Sequence, residues 1–281
     1  MSPPRVFLLT LLAMLAFAAN SLLCRAALHG STIDAASFTT LRIAAGAATL
    51  WLIVRLRDGP NRAAGNWPSA LALFGYAAAF SFAYVSLTAA TGALLLFGAV
   101  QATMIGAGLA RGERLRGLQM LGLAFALSGL VGLLLPGLSA PPLPGALLML
   151  AAGACWGVYS LRGKGAGDPL RVSAGNFLRA LPFALVLSAA MLPWARLDLA
   201  GAALAVASGA LASGVGYAIW YAALPALRVT TAATVQLTVP VIAALGGFAL
   251  LGEPPTPRFV IAAAAILGGI ALVVAPWRRR A

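Results

Sequence analysis

With 62% hydrophobic and 9% charged residues in 281 positions, the chain has too little polar surface to solvate a globule of its size, which argues against a soluble protein. A net charge of +13 would point to nucleic acid in a soluble domain. Here all but two of the 19 basic residues are dispersed over short loops and chain ends outside the apolar runs, the pattern of a chain facing anionic lipid headgroups, so no nucleic acid is expected as a partner.

Apolar runs of about 17 to 25 residues are long enough to cross a hydrocarbon core. They fall at 6–24, 35–54, 67–89, 91–110, 117–135, 143–161, 172–193, 200–223, 230–251 and 258–275, which predicts an all-α integral membrane protein of ten spans. The first run follows Arg5 and contains Ala16-Phe17-Ala18, features shared with cleavable signals. Its length through Leu23, and the bulky residue before Cys24 where lipoprotein processing needs a small one, favour an anchor that stays. Asn20 lies within it, and the lone histidine, His29, falls in the loop beyond, where a solvated role is expected.

The second and seventh runs carry Arg42 and Arg179, the two charges inside spans. Burying a guanidinium there costs on the order of 2.5 kcal/mol or more. Snorkelling toward the nearer interface with a structural hydrogen bond is the favoured expectation, and recognition of a substrate carboxylate at a cavity rim is the alternative. Tyr76, Phe80 and Tyr84 share a face of the third run through i, i+4, i+8 spacing, and Tyr217, Trp220 and Tyr221 share one on the eighth through i, i+3, i+4 spacing. Gln101, Tyr159, Gln236 and Thr238 add hydrogen-bonding groups within spans, which a water-filled cavity or interhelical bonds must satisfy. Together with Asn20 and Trp156 these residues form the candidate substrate cavity.

Small residues recur every fourth position at Gly153 and Gly157, at Ala205, Gly209 and Ser213, and at Ala264 and Gly268, faces on which helices can approach closely. Pro182 and Pro240 sit well inside spans and should bend them, with Pro240 the expected hinge. Cys24 and Cys155 lie in or at the end of apolar runs and are expected to act as small packing residues.

Alternating the spans puts Arg5, Arg55, Arg57, Arg62, Arg111, Arg114, Arg116, Arg162, Lys164, Arg171, Arg228, Arg278, Arg279 and Arg280 on the N-terminal face. Only Arg25, Arg196 and Arg258 fall opposite. Basic loops are retained in the cytoplasm, so both termini are expected there, in a bacterial inner membrane.

An internal repeat is visible. Residues 91–136 slide onto 231–276 at a constant offset of 140, matching Gly106 with Gly246, Gly112-Glu113 with Gly252-Glu253, Gly129 with Gly269 and Pro136 with Pro276. Phe80 and Tyr84 correspond to Tyr217 and Tyr221 at an offset of 137, as Arg42 does to Arg179. The expected units are 1–138 and 139–281. Five spans per unit is an odd number, so the second copy enters the membrane inverted, as in many transporters.

Thr231 to Gly246, reading TAATVQLTVPVIAALG, followed by Leu251-Gly252-Glu253, resembles the ninth-helix signature of EamA-type carriers in the drug/metabolite transporter superfamily. Leu41-Arg42 and Leu178-Arg179 resemble that family's second and seventh helices, and Trp156-Gly157 the start of a repeat. Val100 stands where the second copy has Pro240, so the first-half hinge is stiffer or differently placed. The resemblance, which covers nearly the whole chain, implies ten helices, a central cavity between two four-helix groups, and outward movement of metabolites or amino acids.

No G-x-x-x-x-G-K-[ST] phosphate loop occurs; Gly163-Lys164-Gly165 lacks the upstream Gly spacing and the hydroxyl residue. The six acids, Asp34, Asp58, Glu113, Asp168, Asp198 and Glu253, fall at span ends or in loops, which leaves no mid-membrane carboxylate for a proton or sodium. No metal, cofactor or enzymatic constellation is expected, because no His/Asp/Glu cluster or Ser/His pair occurs within spans. The expectation is a monomeric exporter of a small-molecule substrate, foremost neutral or aromatic amino acids, working in the lipid bilayer by alternating access with facilitated diffusion or exchange. Multidrug or nucleobase and nucleoside efflux and proton-coupled antiport are alternatives on the same fold. A non-transporting scaffold or receptor is the competing class.

Overall fold

The computed structural model describes residues 2–59, 64–112, 114–115, 117–137, 140–227 and 229–274. Arg62, Glu113, Arg116, Arg228, Pro276 and Arg278 to Arg280, which enter the charge map and the repeat, lie outside them.

Among the described residues every regular element is helical. The order is α1 (Pro3–Gly30), α2 (Ala35–Asp58), α3 (Trp67–Tyr84), α4 (Ala89–Ala110), α5 (Gly117–Leu134), α6 (Leu143–Gly163), α7 (Pro169–Ala190), α8 (Leu199–Ala207), α9 (Gly216–Ala223), α10 (Val229–Gln236), α11 (Thr238–Leu251) and α12 (Pro257–Val274). Nine helical stretches of the described residues are long and apolar enough to span a bilayer. The tenth, α3, is 18 residues long and diluted by Trp67, Pro68, Tyr76 and Tyr84.

Boundaries follow local chemistry. Asp34, Asn66, Thr88, Asp168 and Asp198 each accept an amide hydrogen of the first turn they precede, so five helices begin on a side-chain cap. Pro occupies the first turn of α1, α3, α6 and α7, where its missing N–H costs nothing. Leu15, Phe125, Leu185, Leu245, Phe248 and Ile261 lie exposed on the outer surface, an arrangement that water penalises and acyl chains satisfy.

The eighth and ninth spans differ from the expected unbroken α-helices. Ser208–Val215 between α8 and α9 is wound as a π-helix. Gly209 lies so close to α2 that a Cβ would strike the Arg42 carbonyl, and one on Gly214 would sit 2.7 Å from the Thr49 methyl. In the ninth span the break falls at Leu237, between α10 and α11, where the Leu237 amide donates to the Thr234 carbonyl. Pro240, three residues on, has no N–H for the Gln236 carbonyl and its ring crowds that group, which accounts for the interruption.

The core is a set of paired contacts. α2 packs on α7, α4 on α11 and α5 on α12. α3 and α4 both pack on α6, while α9 and α11 both pack on α1. Shifting by five spans returns the α2–α7, α4–α11 and α5–α12 contacts to themselves and exchanges the two α6 contacts with the two α1 contacts.

Glycine sets the closest approaches. A Cβ on Gly153 would lie 2.5 Å from both the Leu96 carbonyl and the Ala99 methyl, and one on Gly157 2.7 Å from Thr103, so this small-residue face joins α6 to α4. On the last helix the expected residue is off by one. Gly268 meets nothing within 4 Å, whereas a Cβ on Gly269 would collide with the Gly122 carbonyl and lie 2.6 Å from the Ala126 nitrogen. At the N-terminal face, Arg57 and Arg171 both bind Asp58, and Arg57 also reaches Asp168, so the end of α2 is clamped to the start of α7. The Arg57 and Arg171 guanidinium groups hold the Asp58 carboxyl well below the usual carboxylate range.

The two adjacent glycines of α12 separate close packing from sequence composition. Gly269→Val should destabilise the detergent-solubilised protein by about 1 to 3 kcal/mol, the typical cost of overpacking. Gly268→Val should leave the thermal midpoint nearly unchanged, and equal losses in the two variants would show that α5 and α12 do not pack through Gly269.

Candidate functional site

A cavity of about 460 Å³ lies between α1, α3, α4 and α6 on one side and α7, α9, α10 and the π-helical segment on the other. Its mouth is formed by Gly163, Lys164, Gly165, Gly167 and Pro169, so it opens on the N-terminal face, where most basic residues lie.

Aromatic rings form one continuous column along the wall. Tyr84 packs edge-on against Phe80 (4.7 Å between centroids), Phe80 meets Tyr76 (5.3 Å) and Tyr76 meets Trp156 (4.9 Å). Trp156 stacks on Tyr159 (5.2 Å) and touches Tyr217 (5.6 Å), which leads to Tyr221 (6.2 Å). Phe17 closes the other side against Tyr217 and Trp220. Such edge and offset contacts contribute about 0.5 to 1.5 kcal/mol each beyond area burial.

Polar groups sit where they can turn inward. Asn20, Ser21, Ser160, Ser173, Ser213 and Gln236 line the cavity, and Lys164 stands at its mouth. Among the described residues no carboxylate lines it. Ser173 donates to the Tyr221 hydroxyl at 3.4 Å and accepts from Tyr159 at 3.4 Å.

Beneath the cavity floor lies a buried network. The Ser208 hydroxyl donates to Asn20 Oδ1 (2.7 Å), Asn20 Nδ2 donates to the Tyr76 hydroxyl oxygen (3.0 Å), and Arg42 Nη2 donates to the same oxygen (2.8 Å). Arg42 is 2% exposed, with its guanidinium carbon 5.0 Å from the Tyr76 ring centre and 4.7 Å from that of Phe80. It therefore does not snorkel, contrary to the sequence expectation. Its cost is offset by two aromatic faces and one hydroxyl. Arg179 behaves as expected: it donates to the carbonyls of Ala64 (2.9 Å) and Gly175 (3.0 Å) at the N-terminal face.

The opposite end of the cavity is sealed. Arg25, which the span boundaries placed in a loop, is inside α1 and 7% exposed. Its Nε binds Glu253 Oε1 at 2.7 Å, while Nη1 donates to the Tyr84 carbonyl at 3.2 Å. Glu253 Oε2 accepts from the Ala89 amide at 2.8 Å, so one ion pair ties α1, the α3–α4 corner and the end of α11 together. Tyr84 is fully buried beside it, its ring filling the space that a side chain on Gly92 would need.

Of the residues singled out in the sequence, Asn20, Tyr76, Phe80, Trp156, Tyr159, Tyr217, Trp220, Tyr221 and Gln236 line the cavity. Three others do not. Tyr84 belongs to the seal, Gln101 is buried away from the lining, and Thr238 is exposed with its hydroxyl on the Val235 carbonyl at 2.7 Å. Sequence reasoning missed Phe17 and Ser173 in the lining and the Arg25–Glu253 pair. The pair had a signal: Arg25 corresponds to Arg162 at the same offset of 137 that pairs the tyrosines. Arg162 donates to Ser69 and Asn66 at the opposite face.

Residues 143–275 match the model of the EamA-like transporter family. An uncharacterized protein of Pseudomonas aeruginosa is 62% identical over 99% of this chain and 97% of its own length. The threonine/homoserine exporter RhtA of Escherichia coli is 37% identical over 132 residues, which span 44% of this chain and 43% of that exporter. A probable terminal-alkyne amino-acid exporter of Streptantibioticus cattleyicolor is 29% identical over 70% of this chain and 68% of its own length. The crystal structure of another protein superposes with a TM-score of 0.67 at 23% identity, covering 94% of this chain and 97% of that one, and shares the fold. The chain belongs to the EamA-like transporter family.

Proposed function

We propose that the protein exports small organic metabolites, foremost neutral or aromatic amino acids, across a bacterial inner membrane by alternating access. The observation that carries this reading is a cavity open at the basic face and closed at the other by the Arg25–Glu253 pair and Tyr84. If basic loops lie in the cytoplasm, this is the inward-open form, ready to load solute from the cell. A volume near 460 Å³ is within the usual range for small-molecule sites. Lys164 at the mouth and the lack of a carboxylate among the described lining residues favour anionic or zwitterionic solutes over cationic drugs. The printed names of the two exporter relatives point the same way.

Exchange of the two units, 1–138 and 139–281, supplies the motion. Closure of the open mouth around Tyr221 and opening around Tyr84 would present the same cavity to the other side, with Leu237 and Pro240 as the hinge. Among the described residues no acid lines the cavity to carry a proton, so equilibrating movement of a neutral amino acid needs no proton gradient. The protein acts as a monomer.

Counterflow of labelled threonine, leucine and phenylalanine in proteoliposomes, set beside nucleosides and cationic drugs, tests the substrate class. Amino-acid flux that persists when the proton gradient is dissipated is the expected result; a strict need for the gradient would contradict facilitated movement. Orientation is read separately. Cysteines near Asp58 and Asp168 should be shielded from an impermeant thiol reagent in intact cells, and the reverse labelling would invert the assignment.

Gating variants should split by face. Glu253→Gln leaves Arg25 without its counter-charge, and breaking a buried pair typically costs about 3 to 5 kcal/mol. It should shift molecules toward the outward-open form. Tyr84→Ala should do so more weakly, by roughly two- to tenfold in the equilibrium. Tyr221→Ala should act in the opposite sense. Reporter cysteines at the two mouths measure this, and changes of the same sign in all three variants would contradict the assignment.

A further inference from the structure

The two repeat-related arginines are treated differently by the fold. Arg179 spends Nη1 on two backbone carbonyls. Arg42 keeps its Nη1 with no hydrogen-bond partner, in a site where that atom is out of reach of solvent. No described acid pairs with it: Glu253 is held by Arg25, Asp58 and Asp168 by Arg57 and Arg171, and Asp34 and Asp198 by helix starts. An unmatched guanidinium N–H in a low-dielectric interior is costly and is retained where a ligand completes it. The neighbouring Tyr76 hydroxyl accepts from both Asn20 and Arg42, which leaves its own proton free to donate. Tyr76, Phe80 and Asn20 are also the floor of the cavity, so a positive charge and two free donors lie one layer beneath the solute.

We propose that Arg42 is the anion anchor of this carrier: its free Nη1 and the Tyr76 hydroxyl take the two oxygens of a solute carboxylate. This deepens the transport reading and rests on it for the solute's identity. Phe80, which lines the cavity and whose ring centre lies 4.7 Å from the guanidinium carbon, is the ring that would tilt to admit the carboxylate. Lys164 at the mouth attracts the anion, and Arg42 at the floor holds it in the orientation that leaves the rest of the solute against Trp156. Specificity for acids over their esters and amides follows, because an ester oxygen satisfies the guanidinium only partly.

The test uses the purified full-length protein in detergent, with phenylalanine, leucine and benzoate as probes beside phenylalanine amide, leucine methyl ester and benzamide. Thermal stabilisation reads binding. The carboxylates should stabilise the wild type and their uncharged-end analogues should not. Arg42→Met should abolish the carboxylate effect yet leave the ligand-free midpoint equal or higher, since it removes an unmatched buried charge. Arg42→Lys should weaken carboxylate binding at least tenfold, because an ammonium cannot reproduce the planar fork, and Tyr76→Phe should weaken it less. Arg179→Gln should lower the ligand-free midpoint without changing selectivity. Loss of stability in Arg42→Met with carboxylate selectivity intact in Arg42→Lys and Tyr76→Phe would make Arg42 a structural residue. Wild type that binds acids and amides alike would overturn the anchor outright. Transport is scored apart: benzoate binding that depends on Arg42, without amino-acid flux, upholds the anchor and sinks the amino-acid reading.

Discussion

A charge inside a bilayer-spanning bundle must be met by something that replaces water, and three arginines in this chain are met in three ways. Arg25 has a carboxylate, Glu253, and a carbonyl. Arg179 has two carbonyls. Arg42 has one hydroxyl and two ring faces, with one nitrogen left over. The first arrangement closes one end of the cavity, the second fastens a helix to a loop, and the third places an unsaturated donor under the floor. In a medium without water, these differences separate a latch, a strut and a site.

The surrounding helices make that division possible. Small residues bring α4 against α6 and α5 against α12 closely enough that packing, rather than polar contact, holds the bundle. Two irregular backbone segments, the π-helical Ser208–Val215 and the break at Leu237, adjoin the cavity. Ser208, the first residue of the π-helical segment, hydrogen-bonds Asn20 and so joins the network that carries Arg42. Non-helical hydrogen bonding at membrane depth is tolerated where protein or a water-filled cavity satisfies the freed groups.

Most of the fold was legible from apolar run lengths, because a bilayer permits few alternatives. The aromatic stripe of α3 was legible in part: helical spacing put Tyr76, Phe80 and Tyr84 on one face, yet a face says nothing of depth, and only the first two reach the cavity. Arg25 was misplaced because hydropathy ends a span at a charge, while the helix continues to Gly30 once Glu253 supplies the counter-charge from 228 residues away. Register also escaped composition: Gly268 and Gly269 are indistinguishable in a hydrophobic run, and only the partner helix selects the second. The π-helical winding had no signal beyond Gly209 and Gly214, since tertiary contact with α2 decides it.

Alternating access predicts that the Arg25–Glu253 contact must open in every transport cycle. Cysteines at positions 25 and 253, in a background without Cys24 and Cys155, can be bridged by a short bis-thiol reagent and then assayed for amino-acid counterflow. Bridging should stop flux while a cysteine at Lys164 remains open to label from the cytoplasmic face, and cleaving a reducible bridge should restore it. Full flux with the bridge in place would contradict a gate at this pair and, with it, the alternating-access reading.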